Sequence, residues 1–74
     1  MAYTTEKIFD REHAGTERVL TVKPNGGGVV IAYEHAPDEF LTFETITGTT
    51  VKLIKFGQGR VKITPSGGAE FNIV

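Results

Sequence analysis

The side chains with reactive potential fall in a few places. Glu34, Asp38, Glu39 and Glu44 put four carboxylates into residues 34–44. Paired carboxylates can divide acid and base roles in proton transfer or glycoside cleavage. These four flank a connection marked by Pro37, on a chain of 74 residues with little volume for a substrate pocket, and a solvated acidic rim is the simpler reading. Ser66 is the only serine and lies in the turn Pro65-Ser66-Gly67-Gly68, outside any Gly-x-Ser-x-Gly elbow, and there is no cysteine to supply a thiolate. His13 and His35 stand alone in polar stretches, where a metal or pH-sensing role would need partners that the sequence does not display. The clusters Gly26-Gly27-Gly28 and Gly67-Gly68 precede no helix-forming stretch and no Lys-Ser/Thr pair, so they read as turns and not as phosphate cradles. No catalytic residue, cofactor site or metal site is therefore expected, and the chain is not read as an enzyme.

Charge carries more information than reactivity. The four negatives of residues 34–44 have no positive among them, whereas residues 52–62 carry Lys52, Lys55, Arg60 and Lys62 with no negative. A formal net charge of −1 conceals this separation. Such an arrangement suits head-to-tail contact between an acidic edge and a basic hairpin of a neighbouring copy; the simpler account is pairing of adjacent strands within one chain, worth at most about 1 kcal/mol per exposed pair. The basic hairpin with Phe56 beside it is also the kind of surface that a small nucleic-acid-binding β-barrel uses. Nucleic acid is nevertheless an unfavoured partner, because phosphate binders are usually basic overall.

The elements that position these groups are strands. Nine glycines and three prolines, with no tryptophan and one methionine, favour short strands and tight turns. Two segments repeat one grammar: Arg18 to Tyr33 around Pro24-Asn25-Gly26-Gly27-Gly28, and Arg60 to Val74 around Pro65-Ser66-Gly67-Gly68. Each reads as a β-hairpin, an apolar alternating strand that turns and returns along itself. Leu20 aligns with Val61 and Val22 with Ile63 at a spacing of 41, and Ile31 with Phe71 and Tyr33 with Ile73 at a spacing of 40. This is either a duplicated unit making two facing sheets or the convergence expected of any two such hairpins.

Between them, Glu34 to Glu39 reads as a polar connection, and Phe40, Leu41, Phe43 and Ile46 as a strand ended at Gly48. From Thr49 to Phe56 the register is ambiguous: Val51 and Leu53 share one face, Ile54 and Phe56 the other, and a bulge or burial of both faces would reconcile them. Gly57-Gln58-Gly59 reads as a three-residue hairpin loop. Residues 1–17 are an N-terminal arm, a helical turn or an extended strand, that would dock through Ile8 and Phe9. The expected architecture is an all-β antiparallel sandwich or flattened barrel of about six strands over residues 18–74, with that arm.

So short a chain rarely gains more than roughly 3–5 kcal/mol from its core, and without disulfides the expected supplement is association with other subunits. The longest apolar run, Val29 to Tyr33, falls far below the roughly 20 residues of a membrane span, so no membrane partner is expected. The first residues, Met-Ala-Tyr-Thr-Thr-Glu-Lys, lack the form of a secretory signal and read as an intact cytosolic product.

Thr47 to Ile54, then Gly57-Gln58-Gly59-Arg60-Val61-Lys62-Ile63-Thr64-Pro65-Ser66-Gly67-Gly68 and the closing apolar strand to Ile73, resemble small β-structured virion proteins of tailed bacteriophages, such as capsid decoration or head-fibre proteins and tail-fibre modules. The resemblance implies a capsid-surface protein made in the host cytoplasm, homo-oligomeric in trimers or other symmetric clusters and seated on the major capsid protein. It leaves a tail, baseplate or host-surface-binding component as the alternative. Its interface residues would be Ile8 and Phe9 of the arm, Lys52, Lys55, Arg60 and Lys62 of the basic hairpin, and Glu34, Asp38 and Glu39 of the acidic loop.

Overall fold

A computed structural model describes residues 2–10, 15–57 and 59–74. Seven strands form among them: β1 (Lys7–Phe9), β2 (Glu17–Lys23), β3 (Gly28–Ala36), β4 (Glu39–Ile46), β5 (Thr50–Lys55), β6 (Val61–Ser66) and β7 (Glu70–Ile73). They make two antiparallel sheets, one of order β1-β6-β3-β4 and one of order β5-β2-β7. The all-β sandwich is as the alternation of apolar residues predicts. Among the described residues no helix is long and apolar enough to cross a membrane.

Alternation builds the core directly. Leu20 and Val22 of β2, Val29 and Ile31 of β3, Val61 and Ile63 of β6 and Phe71 of β7 are at most 3% exposed, and all point between the sheets. Among the described residues no polar side chain is buried, so the interior is held by apolar contact alone.

Neither repeated segment is a hairpin. β2 lies in the three-stranded sheet and β3 in the four-stranded one, and β6 and β7 divide the opposite way. Both turns have the positive backbone angles of the type that normally closes hairpins, φ 48° and 87° at Asn25 and Gly26, 63° and 85° at Gly67 and Gly68. Pro24 has no N–H to return the bond that Gly27 donates to its carbonyl at 2.7 Å, so no ladder continues from the first turn. In the second, Ser66 is already paired with Gly28. Each segment therefore arches from one sheet to the other, and its first strand pairs with the second strand of the other segment.

The internal echo is consequently real in the pairing. Leu20 faces Ile73 and Val22 faces Phe71, while Val61 faces Tyr33 and Ile63 faces Ile31. Exchanging each residue for its echo converts one ladder into the other, which is pseudo-twofold symmetry. The two arches meet on that axis: a Cβ on Gly27 would lie 1.9 Å from the Ser66 carbonyl oxygen, and the Asn25 side-chain amide donates to the Gly68 carbonyl at 3.1 Å.

Three other expectations are corrected. The β3–β4 connection is a two-residue hairpin turn at Pro37 and Asp38, the latter at φ 61°, so Glu34 and His35 belong to a strand and not to a loop. The ambiguity in β5 resolves without a bulge: Ile54 and Phe56 turn inward, and Val51 and Leu53 are left 72% and 61% exposed. Residues 56–60 join β5 to β6 across the sandwich and are not a hairpin loop, and Gln58 lies outside the described residues.

The arm takes the extended alternative. Tyr3 exchanges both backbone bonds with Phe71 on β7, and β1 then pairs with β6 in the other sheet, so the arm bridges the two sheets along one side. Phe9 docks it, in edge contact with Phe56 at 5.9 Å and Phe71 at 6.5 Å, with Tyr3 joining the cluster. Ile8 does not dock; the strand alternation turns it outward and 46% exposed. The arm is thus part of this chain's own fold. On the opposite side, among the described residues, β4 and β5 have no backbone pairing and leave an open seam.

The contact of the two arches predicts that Gly27→Ala destabilises by about 1–3 kcal/mol, because the new methyl meets backbone that cannot step aside. Gly48→Ala, with open space around it, changes stability by less than about 0.5 kcal/mol. Urea melts of the two variants beside the parent chain measure the contrast.

Candidate interaction surfaces

The segregated charges meet inside the chain. β6 lies beside β3, which sets Arg60 next to Glu34 on the outer face of the four-stranded sheet. The Arg60 guanidinium donates to Glu34 Oε2 from Nε at 3.1 Å and from Nη2 at 2.8 Å, and its backbone N–H donates to Glu34 Oε1 at 3.1 Å. Nη2 also reaches Asp38 Oδ1 at 2.8 Å, while the Asp38 N–H donates to Glu34 Oε2 at 3.4 Å. The Phe40 ring lies under Arg60 at 5.3 Å and Lys62 at 4.7 Å, a cation–π arrangement that covers the cluster.

These contacts set the protonation of the site. The Arg60 side chain first, then its backbone N–H, hold the Glu34 carboxyl down at about 2, against the partial desolvation that opposes them. Arg60 is pushed up in return by the same carboxylates, Glu34 before Asp38.

A second pair closes the seam. Glu44 on β4 and Lys52 on β5 occupy inward-facing positions, opposite Ile31 and Leu20, and meet at 2.5 Å with each side chain 34% exposed. Inward charges on edge strands discourage further strand addition, and here each neutralises the other. Burial beside this pair pushes the Tyr33 phenol up. A bulge between Ile31 and Ala32 leaves Phe43 unpaired, and its ring stands edge-on to Tyr33 at 5.2 Å.

The expected interface residues therefore separate. Glu34, Asp38, Arg60 and Lys62 gather into one intrachain cluster, and Lys52 sits at the seam in the grip of Glu44. Glu39 and Lys55 are exposed, on β4 and β5. The simpler account, pairing of strands within one chain, describes Arg60 and Lys52, while the Asp38 side chain stays 90% exposed. His13 lies outside the described residues, and among those described no three His, Cys, Asp or Glu side chains gather as a metal site would require.

Sequence reasoning missed the outer face of the three-stranded sheet. Its middle row runs Leu53, Val19, Val74 across β5, β2 and the residue following β7, with Val51, Thr21 and Asn72 in the next row. Leu53, Val51 and Val74 are 61%, 72% and 61% exposed. Outward positions of a half-solvated antiparallel sheet are usually polar, so an apolar row there departs from the ordinary pattern. Oppositely charged residues end the face on both sides, Glu17 and Lys55 at one end, Lys23 and Glu70 at the other. Beside Lys23 a hollow of about 460 Å³ opens, lined in part by Thr21, Val51 and Asn72. The available signal was the unresolved phase of β5, where two apolar residues had no place in the core.

No protein-family model, curated protein or solved structure matches this chain.

The depressed Glu34 carboxyl carries a pH signature. Because its folded value is near 2 and its ordinary value 4.5, its contribution to stability is full above pH 4.5 and is lost as pH falls toward 2. Glu34→Gln should melt at a lower temperature than the parent chain at pH 7, and the two melting curves should converge at pH 2. A gap of unchanged size at both pH values would assign the loss to something other than this carboxylate.

Proposed function

We propose that this chain is a non-catalytic structural component of a tailed-phage virion, of the capsid-decoration kind, which associates with its own copies and seats on the major capsid protein. The observation that carries the reading is the distribution of exposed large apolar side chains. Of the six among the described residues, four lie on the two strands that border the seam, Leu41 and Phe43 on β4 and Val51 and Leu53 on β5. These four flank a seam where, among the described residues, backbone pairing stops, so apolar surface and unpaired strand edge coincide on one side of a small sandwich. That is the composition of a contact surface, since monomers rarely leave such groups together in water.

The resemblance of the turn and strand pattern from Thr47 to Ile73 to small virion β proteins supplies the setting. The mechanism is mechanical: each copy covers apolar surface at joints between capsid subunits and adds contact area without enlarging its own core. Tyr3 and Phe9 of the arm are committed to closing their own sandwich, which leaves the exposed Ile8 as the arm's residue for a neighbour.

The test uses empty shells of the virus whose genome carries the gene. Purified protein should co-sediment with them to a fixed, saturable ratio and raise the temperature at which they come apart. Leu41→Glu with Phe43→Glu, two exposed changes on β4, should lower the bound fraction at least about tenfold, as expected when a charge must be desolvated in an apolar contact. Shells that remain bare at saturating protein refute the virion assignment.

A further inference from the structure

The side of the sandwich between β4 and β5 is complementary to itself. We infer that two copies of this chain join edge to edge at the seam, about a twofold axis parallel to the strands, so that β4 of each copy pairs with β5 of the other and both sheets run on through the contact. The inference rests on the self-association half of the reading above and adds the surface, the partner and the orientation.

The internal echo shows what is unusual at this seam. On the side closed by the arm, Tyr3 pairs with Phe71 and Phe9 with Val61; their counterparts across the pseudo-twofold are Glu44, paired with Ile31, and Lys52, paired with Leu20. Equivalent positions therefore hold two aromatic rings 6.0 Å apart on the closed side and an ion pair on the other. Leu41 is a second departure. It stands opposite Tyr33, on the face of β4 turned toward the core, yet it is 54% exposed, because among the described residues no strand follows β5 to cover it. Phe43, edge-on to Tyr33, is 65% exposed for the same reason.

Direction and level select the partner. The chain reverses at residues 47–49 in passing from β4 to β5, so the two free edges are antiparallel to each other. A twofold parallel to the strands moves nothing along them. Glu44 and Lys52 share one level, so Glu44 of each copy meets Lys52 of the other, Thr45 meets Val51, and Leu41, two steps from Glu44 once the bulge is counted, meets Ile54. A twofold perpendicular to the sheets would instead set β4 on β4, with Glu44 beside Glu44, and β5 on β5, with Lys52 beside Lys52. The pair within each chain is the same in both arrangements, so the lateral neighbours decide: four alternating charges in the first, two like pairs in the second. Glu39 and Lys55 also meet with opposite sign in the first, but Glu17 already faces Lys55 within the chain, and the choice rests on Glu44 and Lys52 alone.

Inward charges refuse a strand that lacks the matching charge and admit one that brings it. A lone strand could pair with one edge only. An acidic edge and a basic edge, antiparallel and at one level, are what the seam itself offers. The contact covers Leu41 and Phe43 and closes on itself, so it ends at a dimer. Val51 and Leu53 stay on the outer face of the joined sheets, available to a different partner.

Because the chain has no cysteine, introduced thiols report the orientation. Thr45 and Val51 are exposed, on opposite outer faces of one chain but side by side across the contact. Thr45→Cys mixed with Val51→Cys under mild oxidation should give a disulfide-linked pair, since antiparallel neighbours lie about 5 Å apart, while each variant alone stays a single chain. In sedimentation equilibrium from micromolar to millimolar concentration the parent chain should reach a dimer. Glu44→Lys should weaken it at least about tenfold, and an equimolar mixture of Glu44→Lys with Lys52→Glu should associate to within about threefold of the parent, because unlike charges again meet across the contact.

A parent chain that stays monomeric to millimolar concentration overturns the inference, as does a Thr45→Cys chain that links to itself as readily as to Val51→Cys, or a mixture of folded charge variants that associates no better than either alone. The two readings fail separately. A monomer that still saturates capsid shells refutes the joined pair and keeps the virion role, whereas a pair that forms the Thr45→Cys to Val51→Cys link and ignores shells does the reverse.

Discussion

The fold depends on backbone meeting backbone where the two arches cross. Gly27 and Gly67 approach so closely that neither can carry a side chain, and from that contact both central ladders run outward. β2 pairs with β7 on one side and β3 with β6 on the other, in registers related by the internal echo. Once the arches are locked, Leu20, Val22, Ile31, Ile63 and Phe71 can only point between the sheets, because side chains alternate strictly along each strand. A chain this short has a small core, and a crossing that fixes two ladders at once limits the conformational freedom that the core must overcome.

Closure of the sandwich follows from the same economy of length. On one side the arm lends backbone to both sheets, through Tyr3 to β7 and through β1 to β6, and its aromatic rings cover Phe56 and Phe71. On the other side, among the described residues, no backbone bonds join β4 to β5, and an ion pair, Glu44 with Lys52, stands between them. Four of the exposed large apolar groups, Leu41, Phe43, Val51 and Leu53, lie on this side. Stability and surface chemistry are therefore linked: the edge that could not be paired is the edge that faces the outside with Leu41, Phe43, Val51 and Leu53.

Charge separation along the sequence turned into charge pairing in space. Residues 34–44 and 52–62 look like two free poles when written in a line. Strand order brings them together, since β6 is the neighbour of β3 and β5 faces β4 across the seam. Outside these contacts stand quieter groups on the three-stranded sheet: Glu17 across from Lys55, Lys23 across from Glu70, and an apolar row between the two ends. Nothing about Glu17 or Lys23 is conspicuous in the sequence, because their meaning depends on which neighbours β2 acquires.

What the sequence determined by itself was the strand content, most of the inward residues and the glycine turns after Pro24 and Pro65. Leu20, Val22, Ile31, Val61, Ile63 and Phe71 could be placed inside from alternation alone, because a period of two is a local property of extended backbone. Partner choice was decided only in three dimensions. A turn of Pro24-Asn25-Gly26-Gly27 looks the same whether the strands it joins pair with each other or part into separate sheets, and the difference lies in a missing proline N–H and in a second arch 41 residues away. The outward place of Val51 and Leu53 was likewise undecidable from β5 itself: the core had room for Ile54 and Phe56, and only the packed structure shows that it was full.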